Sequence, residues 1–420
     1  MATYEKGGIF NSVTLSPLLE PEYRLYIFAR FFYTMGLRMF ATVVAYKLFQ
    51  LTKSSFSIGL VGLSEFIPVF ALALYAGHVI DKSDKRSLLL KGIFSYSICV
   101  VLLLFLTSDY ADNRLSRKTM ELSIYAVVFL TGIIRSFSGP TSNAIVVQLV
   151  PRNVLQYASN ISSSTWLTAS IIGHASAGFF IAWFGVHITF YIILGYVLLA
   201  TFFISRISKK PVVQTNTDIK AWASVKEGLQ FVYRHKIMLG AISLDLFAVL
   251  FGGAVALIPE FAETILKVGP IGFGWLNAAI DIGSVTMIMA MTIKPLQKNQ
   301  GVILLYAVAG FGLCIVVFGL SDAFWSSFTV LIIAGMLDGI SVLIRGNIFQ
   351  LNTPDAMRGR VSSVNSMFVN SSNELGQFES GFTARIFGGA MPAVVFGGCM
   401  TLLVVIIAWF KAPALRKFEY

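Results

Sequence analysis

The chain reads as an all-α membrane protein of twelve transmembrane helices, arranged as two pseudo-symmetric six-helix bundles. Three observations predict this. Of the 420 residues, 56% are hydrophobic and only 13% charged, with a mean hydropathy of +0.76. A soluble protein carries about 25% charged residues, so the main solvent of this chain is lipid. Twelve largely apolar runs approach the ~20 residues needed to cross a bilayer. The second half also repeats landmarks of the first at a constant offset, Gly132 matching Gly335 and Pro151 matching Pro354.

The runs lie near 24–49, 56–80, 87–107, 122–149, 158–184 and 188–206, then near 236–259, 271–292, 301–320, 326–350, 361–387 and 391–411. The loops between them alternate in charge. One set holds Lys82, Lys85 and Arg86, then Arg152, the segment from Arg206 to Lys236, Lys294 and Lys298, Arg358 and Arg360, and finally Arg416 and Lys417. The other set (50–55, 185–187, 260–270, 321–325 and 388–390) is short and weakly charged; 108–121, with Arg114, Arg117 and Lys118, is its exception. Basic loops stay in the cytoplasm, which places both termini there, and an even number of spans agrees.

Five segments follow: an N-terminal tail 1–23, a bundle 24–206, a linker 207–235, a second bundle 236–411 and a tail 412–420. In the linker, Trp222, Val225, Leu229 and Val232 recur at helical spacing among Lys226, Glu227 and Arg234. That pattern predicts an amphipathic helix on the cytoplasmic membrane surface, a partner-binding helix being the other reading. The repeat extends through Arg135 and Asp338, Ser159 and Ser362, Gly173 and Gly376, Gly178 and Gly381, and Phe184-Gly185 and Phe387-Gly388. Internal repeats of this kind place a substrate site midway through the membrane, between the halves.

Composition also excludes. The net charge of +11 follows from basic cytoplasmic loops and calls for no nucleic acid. Cys99, Cys314 and Cys399 sit inside apolar runs without metal-ligand spacing, so neither a disulfide framework nor a metal site is expected. Residues 1–21 lack the basic and apolar regions of a cleaved signal peptide. No His-Glu-x-x-His helix, Gly-x-Ser-x-Gly elbow or phosphate-binding loop is present, so no enzyme activity and no cofactor is expected.

Between spans two and three stand Gly77, Asp81, Lys82, Lys85 and Arg86. They follow Gly-x-x-x-Asp-Arg/Lys-x-Gly-Arg-Arg/Lys, apart from Asp84 in place of the second glycine and Lys85 at the arginine after it. With twelve spans and a long central loop, this resembles the major facilitator superfamily. The resemblance implies that Gly77, Asp81, Lys85 and Arg86 form a gating latch between the halves. Arg135, followed by Gly139-Pro140, resembles the span-four arginine of proton-coupled members. The glycine-rich Gly173 to Gly178 resembles span five of the antiporter branch, with His174 where that branch has proline. Thr353 to Val361 resembles the bacterial enterobactin-exporter and drug-efflux subgroup.

The spans hold ionisable residues in unusual number. Arg38, Arg135, Asp245, Asp281, Asp338 and Glu374 fall near mid-depth; Glu65, Arg345 and Glu379 lie somewhat off it. A charge at mid-bilayer costs about 2.5–3.5 kcal/mol on insertion scales, so these residues pair, face water, or carry protons. Arg38 with Glu65, and Arg345 with Asp338 or Glu374, are candidate structural pairs. In the second half Asp245, Asp281, Asp338, Glu374 and Glu379 face only Arg345 among deep bases. Protonation, arginines crossing from the first half, or a bound cation would balance them; proton coupling fits best, with Asp245 and Asp338 foremost. His174 is a candidate proton shuttle or a packing residue. Phe31, Phe32 and Trp166 are candidate cavity-lining aromatics.

The reading is a secondary active transporter of the bacterial inner membrane. It exports a small amphipathic, siderophore-like or drug-like molecule in exchange for protons, and works as a monomer. Small-molecule substrate, protons and the lipid bilayer are its partners. The same fold carrying a lysolipid or a metal cation is the alternative.

Overall fold

The computed structural model describes residues 14–211, 221–294, 296, 298–354 and 357–419. Among them the regular structure is helical throughout. The first half contains α1 (Pro21–Thr52), α2 (Ser55–Lys82), α3 (Lys85–Leu106), the short α4 (Asp109–Arg114), α5 (Arg117–Val146) and α6 (Leu155–Ser205). The linker helix is α7 (Ala221–Arg234). The second half has α8 (Lys236–Phe251), a single turn α9 (Ile258–Glu260), α10 (Gly269–Ile293), α11 (Gln300–Gly319), α12 (Phe324–Asn352), α13 (Arg358–Phe387), α14 (Ala390–Lys411) and the short α15 (Pro413–Arg416).

Each predicted run falls on helical backbone, but nine spans among the described residues are long and apolar enough to cross a membrane. Three local causes separate that number from twelve. Helix α6 carries two predicted runs in one element, turning at Gly185, whose φ of +79° suits glycine. Helix α8 stops at Phe251, well short of 259, and the chain continues to Ile265 as short helical turns of other pitch. Helix α13 is helical throughout but too polar for the criterion, carrying Asn365, Asn370, Asn373, Glu374, Gln377 and Glu379.

The two halves have separate cores. In the first, Tyr23, Met39, Val43, Leu89, Ile93, Phe190 and Val197 are buried together. Phe32 belongs to this packing, stacked on Tyr196 and Phe203 at 5.9 and 6.1 Å, which removes it from the cavity-lining set. In the second, Met238, Leu304, Ile344 and Val364 form the core. Leu415 and Phe418 close that core, so residues 412–419 are packed rather than a loose tail. The Gly301 amide donates to the Phe418 carbonyl (3.0 Å).

The matched glycines do matching work. A methyl at Gly132 would strike Glu65 and Pro68 of α2, and one at Gly335 would strike Ile280 of α10. Gly173 packs on Met35 and Arg38 of α1; Gly376 packs on Val249 and Leu250 of α8. Gly178 meets Gly274 of α10 across the halves, and Gly381 meets Gly59 of α2 in the same way. Small residues let backbones approach where lipid supplies no hydrophobic drive. Gly185 and Gly388 both have positive φ, +79° and +76°.

These cross-half contacts lie toward the end opposite the linker. There the Lys53 ammonium pairs with Glu263 and the Ser55 hydroxyl donates to Glu260. The second oxygen pole of Glu260 accepts the Ala390 amide (3.0 Å) at the start of α14. Phe56 lies tilted against Phe378 and Phe382, ring centroids 6.4 and 6.3 Å apart. Toward the linker end Tyr75 is largely exposed. The halves are joined directly at the far end, while at the linker end α7 touches both α2 and α13.

Gly335→Val should lower the melting temperature in detergent, since overpacking a close contact costs roughly 1–3 kcal/mol. Gly346→Val on the same helix, where a methyl meets nothing within 4 Å, should leave it nearly unchanged.

Candidate functional site

The helices that meet between the halves bring the sequence-selected charges into one cluster. Arg135, from α5, bonds Glu65 of α2 and lies 3.6 Å from Glu374 of α13. A first-half arginine is therefore shared by one acid from each half. Glu374 is buried and also accepts the Gln377 side-chain amide (3.3 Å). The Arg135 side chain remains 42% exposed, so this join faces open space. The expected Arg38–Glu65 pair does not form, because Arg135 stands between α2 and α13 and takes Glu65.

Arg38 instead lies over the Trp166 ring, 4.8 Å from its centroid, where the ring's negative face attracts a cation. Asp281 and Glu374 are its acidic electrostatic neighbours. Asp281, on α10, accepts the Ser170 hydroxyl of α6, a second polar join across the halves. His174 Nδ1 is 2.7 Å from the Thr42 hydroxyl, which ties α6 to α1 one turn from Ser170.

Arg345 of α12 pairs with Asp245 of α8, not with Asp338 or Glu374. Seven residues separate Asp338 from Arg345, about 10 Å along a helix, so both sit on one face. The packing of α8 delivers Asp245 to the guanidinium first. Asp245 is 6% exposed. Asp245, Asp338 and Ser341 line a void of about 10 Å³, close to the smallest that holds one water. Glu379 stands aside, accepting the Thr383 hydroxyl (2.8 Å) within α13.

Five acids (Glu65, Asp245, Asp281, Asp338 and Glu374) thus share three arginines (Arg38, Arg135 and Arg345), a formal charge of −2 if all ionise. Unlike-charged neighbours in a site of low dielectric are coupled strongly. Adding or removing one proton, or moving one helix, repartitions the remaining pairs.

The gating residues sit around a short break between α2 and α3. Helix α2 does not end at Gly77; it continues through Gly77 to Lys82, leaving only Ser83 and Asp84 as the break. The Asp81 side chain lies outside the described residues. Asp84 caps α3, accepting the Arg86 amide (3.1 Å), the Ser87 hydroxyl and the Lys210 amide (3.0 Å). Lys85 begins α3, and Arg86 donates to the Ser205 and Ile207 carbonyls at the end of α6. These described bonds hold the loop to its own half, with no bridge to the second. Partial burial works to raise the Asp84 pKa, but the hydrogen bonds from Ser87, Lys210 and Arg86 outweigh it and hold the carboxyl below its usual value.

Sequence reasoning missed Ser170, Thr42 and the far-end set Lys53, Ser55, Glu260 and Glu263. Hydroxyls carry no signal in a span, and the far-end acids sit in loops that read as weakly charged.

A family model described as Major Facilitator Superfamily matches residues 26–377. An uncharacterized MFS-type transporter, YfiS of Bacillus subtilis, is 24% identical over 381 residues, covering 87% of both chains. The enterobactin exporter EntS of Escherichia coli is 23% identical over 357 residues, covering 82% of this chain and 81% of its own. The crystal structure of a D-xylose–proton symporter superposes with a TM-score of 0.72 at 14% identity, covering 96% of this chain and 100% of that one. A POT family transporter in complex with 5-aminolevulinic acid gives 0.71 at 11% identity, covering 94% and 96%.

Arg345→Gln leaves Asp245 buried without its cation and should destabilise the protein by about 3–5 kcal/mol. Adding Asp245→Asn should recover most of that loss, read as coupling in a double-mutant cycle of thermal unfolding. Asp84→Ala should cost about 1 kcal/mol through the lost cap. Because the folded pKa is lowered, this contribution is fully present above the unfolded value near 3.9 and is lost as pH falls through the folded value. The stability gap between the native chain and Asp84→Ala should hold at neutral pH and shrink only below about pH 4.

Proposed function

Because the chain belongs to the Major Facilitator Superfamily of membrane transporters, we propose that it is a proton-coupled secondary transporter. It exports a small amphipathic, siderophore-like or drug-like molecule by alternating access across the bacterial inner membrane. In this reading both termini and the linker end face the cytoplasm, from which the cargo enters. The observation that carries the reading is the excess of acids over arginines where the halves meet, with Arg135 shared between Glu65 and Glu374.

The mechanism follows from those pairs. With the far end closed, Glu374 shares Arg135, and Asp281 holds the Ser170 hydroxyl. Rocking the halves open at the far end pulls α13 from α5 and α10 from α6. Glu374 then loses its cation and Asp281 its hydroxyl donor, and a carboxyl that loses such a partner binds a proton more readily. Protons enter from outside as cargo leaves. Return to the closed arrangement restores Arg135 to Glu374 and releases the proton inward. Asp338, beside the Asp245–Arg345 pair without displacing it, is a second proton carrier. The export direction and the cargo class are supported by the likeness to EntS and to the drug-efflux subgroup; the proton-coupled fold neighbour supports the driving ion.

In proteoliposomes, an imposed proton gradient should drive uptake of a fluorescent amphipathic probe into inside-out vesicles, and a protonophore should abolish it. Glu374→Gln and Asp338→Asn should each lower gradient-driven transport at least tenfold, about 1.4 kcal/mol in the barrier. Gradient-independent exchange should be retained. Transport that persists undiminished without any ion gradient rules the coupling out.

A further inference from the structure

We propose that the cleft between α7 and the start of α13 is a binding site for a phosphate-bearing anion, separate from the charge cluster between the halves and independent of what that cluster transports. The cleft has a volume of about 570 Å³. Its walls are the last two turns of α7 with His235, and Met357 and Arg360 of the second half.

Four observations give its chemistry. First, the one acid among its described lining residues is already answered: Glu227 on α7 pairs with Arg360 on α13. Second, Arg234 lines the cleft, is exposed, and has no ion-pair partner within 4.0 Å among the described residues. Third, His235 Nδ1 is buried with no hydrogen-bond partner among the described residues. Phe231 stacks on that ring at 6.0 Å and fixes its plane. A buried polar atom without a partner is rare in a folded protein and points to a missing ligand or water. Fourth, His235, which lines the cleft, is the N-cap of α8 and no side chain caps that helix, so the positive end of the helix starts at the cleft wall.

The cleft thus offers one unengaged guanidinium, Arg234, with an imidazole and the Gln230 amide, while Arg360 is held by Glu227. Guanidinium forks match the paired oxygens of a phosphate. A cation would meet Arg234 and Arg360; a neutral molecule would leave the His235 nitrogen and the helix end unanswered. The site lies beside an amphipathic helix whose Leu229 and Val232 pack into the second-half core while Lys226 stays exposed. A headgroup of an anionic lipid and a soluble phosphorylated compound share the required chemistry. Either would tie α7 to α13.

The test titrates the purified full chain in detergent with inorganic phosphate against matched chloride. A second arm places it in phosphatidylcholine vesicles with and without phosphatidylglycerol, reading melting temperature and retained lipid. Saturable stabilisation by phosphate supports a soluble ligand; stabilisation by phosphatidylglycerol alone supports a lipid headgroup. Arg234→Gln should weaken the response about tenfold, the worth of one charge-assisted bond, and Arg234→Lys should retain part of it. Arg234 is exposed, so melting without ligand should not change. No stabilisation in either arm, or an undiminished response in Arg234→Gln, overturns the proposal.

Discussion

The shared cation Arg135 is the interaction on which the rest of the molecule depends. One guanidinium serves Glu65 of its own half and Glu374 of the other. None of the three could stand alone at that depth without a cost of several kcal/mol. Each therefore constrains where its helix can sit. Gly132 lets α5 lie against α2, and Gly62 lets α2 lie against the Glu374 turn of α13. The packing of small residues and the pairing of charges are two descriptions of one requirement. Helices must come close enough for a single arginine to reach both acids.

Much of the fold was legible because it follows from length and periodicity. The apolar runs mark helices whatever their partners, and the 203-residue offset marks glycines that turn out to occupy equivalent contacts. The breaks were less legible. The early end of α8 at Phe251 and the continuous helix through Gly77 depend on tertiary packing, which overrides local glycine preference. The site was legible as a set and not as a graph. Counting acids and arginines identified Arg38, Glu65, Arg135, Asp245, Asp281, Asp338, Arg345 and Glu374, all of which lie in or beside the cluster. The pairing could not be read, because which acid reaches which arginine depends on helix rotation, and sequence distance says nothing of that. Arg345 passes over Asp338, its neighbour on the same helix face, for Asp245 on another helix.

The two ends of the molecule use charge in opposite ways. At the far end, Lys53 with Glu263 and Ser55 with Glu260 join the halves directly. At the linker end, Asp84 and Arg86 are spent within the first half, binding the α3 start to the end of α6 and to Lys210. On the second half, Glu227 and Arg360 bind α7 to α13. Each of these bonds fastens elements locally, which suits the rocking bodies of the proposed cycle.

The two glycine contacts across the halves, Gly59 with Gly381 and Gly178 with Gly274, bring backbone of one half directly against backbone of the other. Helix α2 runs 23 residues from Gly59 to Lys82, a lever arm of about 35 Å at 1.5 Å per residue. A tilt of about 10° over that arm moves the tip about 6 Å, roughly the width of an aromatic ring. In the proposed transport cycle a displacement of that size at the linker end is enough to admit or exclude a small molecule.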